Sequence, residues 1–256
     1  MSVTSITKRD VNKMIDKVVD AGSPVAANRI LAYMKRFFSW CKERDILDQS
    51  PVEAIKLPSK ENDRDRVLNL GEIKSFWISC DKMGYPWGPI FQLLLLTGAR
   101  LKEISQASWS EISISDRILD LPGSRTKNER AHQIQLSVQT LKILLSLPKV
   151  EGQDFLFSTN GKTPVSGFSK VKKRLDMLCG VTNWRFHDLR RSFATHSSEK
   201  LSVSPVIVDK ILNHRTGQVR GVTAVYQRGE YLAERREALQ KWGDYIERLV
   251  AGEDEA

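Results

Sequence analysis

Cysteine, histidine and long apolar runs are all scarce in this 256-residue chain. Its three cysteines, Cys41, Cys80 and Cys179, form an odd set without metal-ligand spacing. That excludes a cysteine metal motif, and their apolar periodic surroundings predict small core residues. The longest apolar run, Ile90 to Leu96, is interrupted by Gln92 and is far too short to span a bilayer. There is no signal-like N-terminal segment, so a cytoplasmic, reduced protein without a membrane partner is expected. Internal repeats, low-complexity tracts and a basic tail are missing too. Residues 1–66 hold 13 Lys+Arg against 10 Asp+Glu and the remainder hold 27 against 21, so the positive excess belongs to folded segments.

That excess is the first positive signal. A formal net charge of +9 points to a polyanion, either nucleic acid or an acidic membrane surface. Hydrophobic residues at 41% and charged residues at 28% are globular values, and the length suits two domains or one large one.

Periodicity divides the chain. Thr7 to Asp10 reads as a capping box opening a helix with Val11, Ile15, Val18 and Val19 on one face and Gly22 as its stop. Ser23-Pro24 starts a second helix, Ser23 as N-cap, with the stripe Ile30, Leu31, Met34, Phe37, Phe38, Cys41. Residues 58–67 have almost no apolar content and read as a linker, giving domains 1–57 and 68–256. In the second domain, helical patterns cover Leu70 to Trp77, Trp87 to Thr97, Val138 to Leu147, Gly167 to Cys179, Ser204 to Leu212 and Tyr231 to Val250. Arg117–Pro122 and His132–Leu136 alternate with a period of two, predicting a small antiparallel hairpin or meander with a basic loop. The fold class expected is mainly α with a small antiparallel β-sheet.

One stretch, Phe186 to His196, combines charge and pattern. Read as a helix it places His187, Arg190 and Arg191 within one turn while Leu189 and Phe193 face the core. An imidazole beside guanidiniums binds an anion and can move a proton, which suits a phosphodiester. Four other residues stand in suggestive places: Arg100 after the Thr97-Gly98-Ala99 turn, Lys127 in the hairpin loop, His214 at a helix end, and Tyr226. Singly, each reads more readily as a helix-end Arg, a loop Lys, a dipole-complementing His or a half-buried Tyr than as a functional group.

Their order is what carries meaning. Thr-Gly-Ala-Arg-Leu-Lys-Glu around Arg100, Thr-Lys-Asn at Lys127, His-Asp-Leu-Arg at 187–190, Leu-Asn-His at 212–214 and a downstream Tyr together resemble the catalytic domain of the tyrosine recombinases, the phage integrase family. The resemblance covers nearly all of 67–250, and the stretch from Tyr226 to Trp242 is most like integrases of prophages and genomic islands. Residues 7–60 resemble the later part of that family's core-binding domain, so the fold implied is a recombinase catalytic domain preceded by a partial, N-terminally shortened helical domain.

The resemblance implies DNA cutting and rejoining through a covalent 3′-phosphotyrosine, with no metal or nucleotide cofactor. Arg100 and Arg190 would clamp the non-bridging oxygens, Lys127 would protonate the departing 5′-oxygen, and Tyr226 would be the nucleophile. His187 would act as a base or hold Tyr226, and His214 would donate to the phosphate. Glu103 would orient an arginine or its own helix. These roles fit elementary chemistry, since a phenol with a pKa near ~10 is mostly protonated at neutral pH and needs help to attack. Tyr231 is the competing nucleophile but suits packing better, Arg125 and Arg130 flank Lys127 without matching the motif, and His132 and His196 are assigned to structure. Arg29, Lys35, Arg36, Lys172, Lys173 and Arg191 are the expected DNA-backbone contacts.

Partners implied are double-stranded DNA at attachment sites, a homotetramer at synapsis formed from a monomer or weak oligomer, and, for some members, a host bending protein and an excision factor. The apolar stripe Leu239, Trp242, Tyr245, Leu249 is a candidate protomer contact. Two other readings remain open at this stage: a type IB-like topoisomerase sharing the same chemistry, and a non-catalytic DNA-binding regulator.

Overall fold

Thr7 and Asp10 close the first capping box: the Asp10 amide donates to the Thr7 hydroxyl at 3.3 Å, and the Thr7 amide donates to the Asp10 carboxylate at 3.0 Å. This starts α1 (Lys8–Asp20). The computed structural model describes residues 2–60, 64–214 and 230–253. α2 (Pro24–Glu43) begins on proline with its preset φ; among the described residues Ser23 makes no side-chain cap bond. Leu31 and Phe38 of α2 meet Val11 and Ile15 of α1, with Val52 and Ile55 closing the seam. The expected stripe included Phe37, which is instead 48% exposed and stacks on Trp40. One position before buried Phe38, it is turned about 100° away from the core. Asn28 donates to the Ser59 carbonyl at 2.9 Å and accepts the Ser59 amide at 3.1 Å, tying the following chain to α2.

The chain divides into two compact units, Met1–Arg64 and Asp65–Ala256. The second is built around α4 (Trp87–Thr97), whose residues from Ile90 to Thr97 are all buried. A helix that is apolar on every face must be enclosed by others. Those around it are α3 (Leu70–Met83), α6 (Val138–Ser146), α8 (Phe186–Leu201) and α10 (Leu232–Ala251). α5 (Leu101–Ser105) follows α4, α7 (Phe168–Cys179) packs on α3, and α9 (Pro205–Ile211) lies against α8 and α10. The sheet is an antiparallel meander, β1 (Ile112–Ser113), β2 (Ile118–Leu121) and β3 (His132–Gln135), with Leu119 opposite Ile134 and Leu121 opposite His132. The two-residue β1 has too little alternation to be read from sequence.

One further expectation changes. Cys179 is only partly buried, whereas Cys41 and Cys80 are core residues. The stripe on α10 packs within its own unit: Leu239, Trp242, Tyr245 and Leu249 are buried there, and the Trp242 indole N–H donates to the Leu95 carbonyl of α4 at 2.9 Å. Among the described residues no helix is long and apolar enough to cross a membrane.

Candidate active site

Gly98 makes the turn that presents Arg100. It caps α4 in the left-handed region at φ +62°, and an added Cβ would lie 2.7 Å from a Phe193 ring carbon. Only glycine satisfies both the dihedral and the close approach. Arg100 is then the N-cap of α5, and Glu103 holds it twice. The buried carboxylate accepts the Arg100 amide at 2.8 Å and its guanidinium at 2.7 Å. A helix N-terminus and a partly exposed arginine thus share one carboxylate, which fixes the side chain from its base.

Arg190 approaches from α8. It is 3% exposed, and it donates to the Gly98 carbonyl at 2.7 Å and to the Leu212 carbonyl. Its Nε is buried and meets no acceptor among the described residues. Burial, with the Arg100 charge beside it, lowers its pKa to about 10, so it keeps its charge at neutral pH. A guanidinium has five N–H donors, and two fixed bonds leave the others for an anion.

Arg191, one position on, turns instead to the buried Asp188 carboxylate at 2.7 Å. Asp188 also accepts the Arg185 amide at 2.8 Å and so caps α8. His187 lies at the exposed edge, where desolvation of its covered side and then the Arg190 and Arg191 charges lower its pKa.

The hairpin loop between β2 and β3 brings Lys127. Thr126 donates within the loop to the Arg130 carbonyl at 2.7 Å, and Arg125 ion-pairs with Glu111 while donating to the Lys102 and Glu103 carbonyls at 3.2 and 3.0 Å. Arg125 therefore braces the loop against α5, and Lys127 is left exposed. Just beyond the end of α9, His214 bonds Asp209 through Nδ1 at 3.1 Å; burial and Arg190 lower its pKa against the opposing pull of Asp209.

These groups meet in space. Arg100, Lys127, Asn128, Asn213 and His214 line one cleft of ≈ 510 Å³, and Arg100 and Lys127 also line an adjoining cleft of ≈ 760 Å³ with Arg185, Phe186 and His187. Arg100 and Lys127 are thus common to both clefts, with His214 and Glu129 on one and His187 and Glu103 on the other, and Arg190 braces the Gly98 and Leu212 carbonyls beside them. Such a site binds an oxyanion from several sides. A cluster of three or more His, Cys, Asp or Glu able to hold a metal is not found among the described residues.

A sequence model described as the phage integrase family matches residues 67–228, the span that carries every one of these groups. The chain belongs to the phage integrase family. Prophage integrase IntZ of Escherichia coli K12 is 25% identical over 98% of this chain and 62% of its own length. A tyrosine recombinase of Pseudothermotoga lettingae is 24% identical over 73% of this chain and 65% of its own. The chain therefore spans less than two thirds of these curated relatives. Among solved structures, a lambda integrase dimer bound to a core site superposes with a TM-score of 0.68 at 18% identity, covering 84% of this chain and 81% of that one. A lambda integrase tetramer bound to a Holliday junction gives 0.70 at 17%, covering 86% and 67%. At such identities the likeness is one of fold.

Other candidates fall elsewhere. Tyr226 lies outside the described residues. Tyr231 is the left-handed N-cap of α10 at φ +48°. Arg29, Lys35 and Arg36 are exposed on α2, and Lys173 is exposed on α7. Lys172 is engaged at home, its ammonium paired with Asp176 and 3.7 Å from the Trp184 ring centroid. His132 is buried with Nε2 3.0 Å from the Ile211 carbonyl, and His196 bonds the Leu68 carbonyl at 2.7 Å. Asn128 and Asn213 are site residues that residue-by-residue reading passes over. Both stand inside the sequence motifs, but only the fold brings them together.

Proposed function

We propose that this integrase-family chain is a site-specific DNA recombinase that cleaves and rejoins duplex DNA through a covalent 3′-phosphotyrosine, for integration or excision of a mobile element. The observation that carries the reading is the convergence of Arg100, Lys127, His187 and His214 on two clefts that share Arg100 and Lys127, with buried Arg190 bonded to the Gly98 and Leu212 carbonyls behind them, within the segment matched by the family. In the step proposed, the Tyr226 oxygen attacks phosphorus and the bond from phosphorus to the 5′-oxygen breaks. His187 takes the phenol proton or holds the ring, and Lys127 gives a proton to the departing oxygen. Arg100 and Arg190 offset the charge gathering on the non-bridging oxygens, with His214 donating a further bond. Rejoining is the same path reversed, with a free 5′-hydroxyl as attacker, so no cofactor is consumed.

Double-stranded DNA is the partner, a tetramer is the synaptic assembly, and the cytoplasm with its nucleoid is the place of action. Residues 1–57 serve as part of the core-DNA-binding domain, contributing Arg29, Lys35 and Arg36 to backbone contacts, with exposed Lys173 adding to them from the catalytic domain; Lys172 and Arg191 add to them on leaving the carboxylates they pair with, Asp176 and Asp188. A host bending protein and an excision factor are further partners for the reaction.

The decisive experiment incubates the chain with a nicked duplex carrying its crossover site and looks for a denaturation-resistant protein–DNA adduct. The adduct is expected from the unaltered chain and not from Tyr226→Phe. An adduct that persists in Tyr226→Phe removes the nucleophile assignment. Binding without cleavage on every substrate would favour a regulator, and relaxation of plasmid lacking the site would favour a topoisomerase.

A further inference from the structure

Lys127 is exposed, and its four-carbon stem gives it many orientations; where its ammonium rests depends on how its loop is anchored. The next residue supplies the anchor. Asn128 Nδ2 donates to Asn213 Oδ1 at 2.8 Å and lies 3.4 Å from the Asn213 carbonyl, while Asn213 Nδ2 reaches back to Asn128 Oδ1 at 3.4 Å. Two amides 85 positions apart in sequence thus pair donor to acceptor in both directions.

Asn213 sits at a junction. It precedes His214, its own carbonyl lies 3.5 Å from Arg100 Nη2, and the carbonyl before it, Leu212, accepts from Arg190. Its backbone is left-handed at φ +48°, a conformation that asparagine tolerates and glycine takes freely. The end of α9 is therefore the common mount of both arginines, and Asn128 fastens the Lys127 loop to that mount. On the β3 side, His132 bonds the Ile211 carbonyl and fixes the same segment from below.

We propose that the Asn128–Asn213 amide pair positions Lys127, setting the distance between its ammonium and the phosphate held by Arg100 and Arg190. Both asparagines are positioning residues that touch no reacting atom. The proposal rests on the recombinase reading and on Lys127 as proton donor. A displacement of about 1 Å at a reacting group can cost about 10²-fold, which is the scale on which such a fastening acts.

The test compares cleavage by the full chain of two nicked duplexes, one with the ordinary 5′-oxygen at the scissile bond and one with sulfur in its place. A thiol with a pKa near ~8.5 leaves without a proton donor, so sulfur bypasses the need for Lys127. Lys127→Ala is expected to lose about 10²–10⁴-fold on oxygen and to recover on sulfur. Asn128→Ala and Asn213→Gly are each expected to lose up to about 10²-fold on oxygen and to recover on sulfur. The double variant should be no worse than Asn128→Ala alone, whose lost oxygen also accepts from the Thr126 hydroxyl and the Arg130 amide, because Asn213→Gly removes only the shared interaction.

Asn213→Gly keeps the left-handed backbone and removes only the amide, and the sulfur-to-oxygen ratio within each variant does not depend on how much protein is folded. Equal losses on both substrates, no loss on oxygen, or additive losses would overturn the positioning role. Failure of the unaltered chain to cleave either duplex, or of Lys127→Ala to recover on sulfur, would instead overturn the reading beneath it.

Discussion

Arg190 shows how a charge can be stored in a core until it is needed. Its two backbone bonds, to the carbonyls of Gly98 and Leu212, replace water in a site that is otherwise closed. An ammonium cannot span both carbonyls and still face a phosphate, so Arg190→Lys should lower adduct formation by at least about 10²-fold, read on the nicked duplex. His132 makes the opposite use of burial. Desolvation, and then the Arg235 charge, lower its pKa to about 4, so it is neutral and donates Nε2–H to Ile211. The unfolded chain, with a His pKa near ~6.5, binds more protons than the folded one between those two values. Stability is therefore complete above the upper value and falls as pH drops through the window, by up to about 3 kcal/mol from this residue. His187 and His214 shift in the same direction. Thermal melts from pH 7 to pH 4.5 should show a falling Tm, with a smaller fall in His132→Gln, which can still donate and does not titrate.

At the level of elements, the site is a set of ends rather than faces. α4 ends at Gly98, α5 begins at Arg100, α9 ends before His214, and the β2–β3 loop supplies Lys127. The ends of α4 and α9 are fixed by backbone carbonyls that Arg190 and His132 satisfy from other elements, whereas Glu103 holds the start of α5 from within that helix. Gly98→Ala places a Cβ in a left-handed residue and 2.7 Å from the Phe193 ring, so it should destabilise by roughly 1–3 kcal/mol in denaturant titration and displace Arg100 as well. Trp242 packs on the same Phe193 ring, 5.7 Å between centroids, and is fully buried and bonded to Leu95. Trp242→Ala should cost about 3–5 kcal/mol, because it opens a cavity and leaves the Leu95 carbonyl without its donor.

For the molecule as a whole, a net charge of +9 sets how the proposed recombinase would meet DNA. Affinity should fall linearly with the logarithm of salt. Replacing an exposed cation such as Arg36 or Lys173 by Gln should reduce that slope by about 0.9 for each phosphate no longer neutralised, measured by gel shift at several salt concentrations. A variant that weakens binding without changing the slope touches no phosphate.

The helices and the meander were legible because each carries its own signal: Thr7 and Asn69 capping boxes, the Pro24 start, the Gly98 stop, and alternation across Ile118–Leu121 and His132–Gln135. The candidate residues were legible because motif order survives in one dimension. By itself the sequence determined the element types, the polyanionic partner class and the family pattern, since capping, periodicity and charge are local properties of neighbouring residues. Tertiary structure alone decided which arginine is buried and which is paired to Asp188, that Phe37 faces water, that Lys172 is engaged by Asp176 and Trp184, and that Asn128 meets Asn213. Those outcomes depend on which carbonyls and carboxylates distant segments bring within hydrogen-bond reach, and no spacing along the chain encodes that distance.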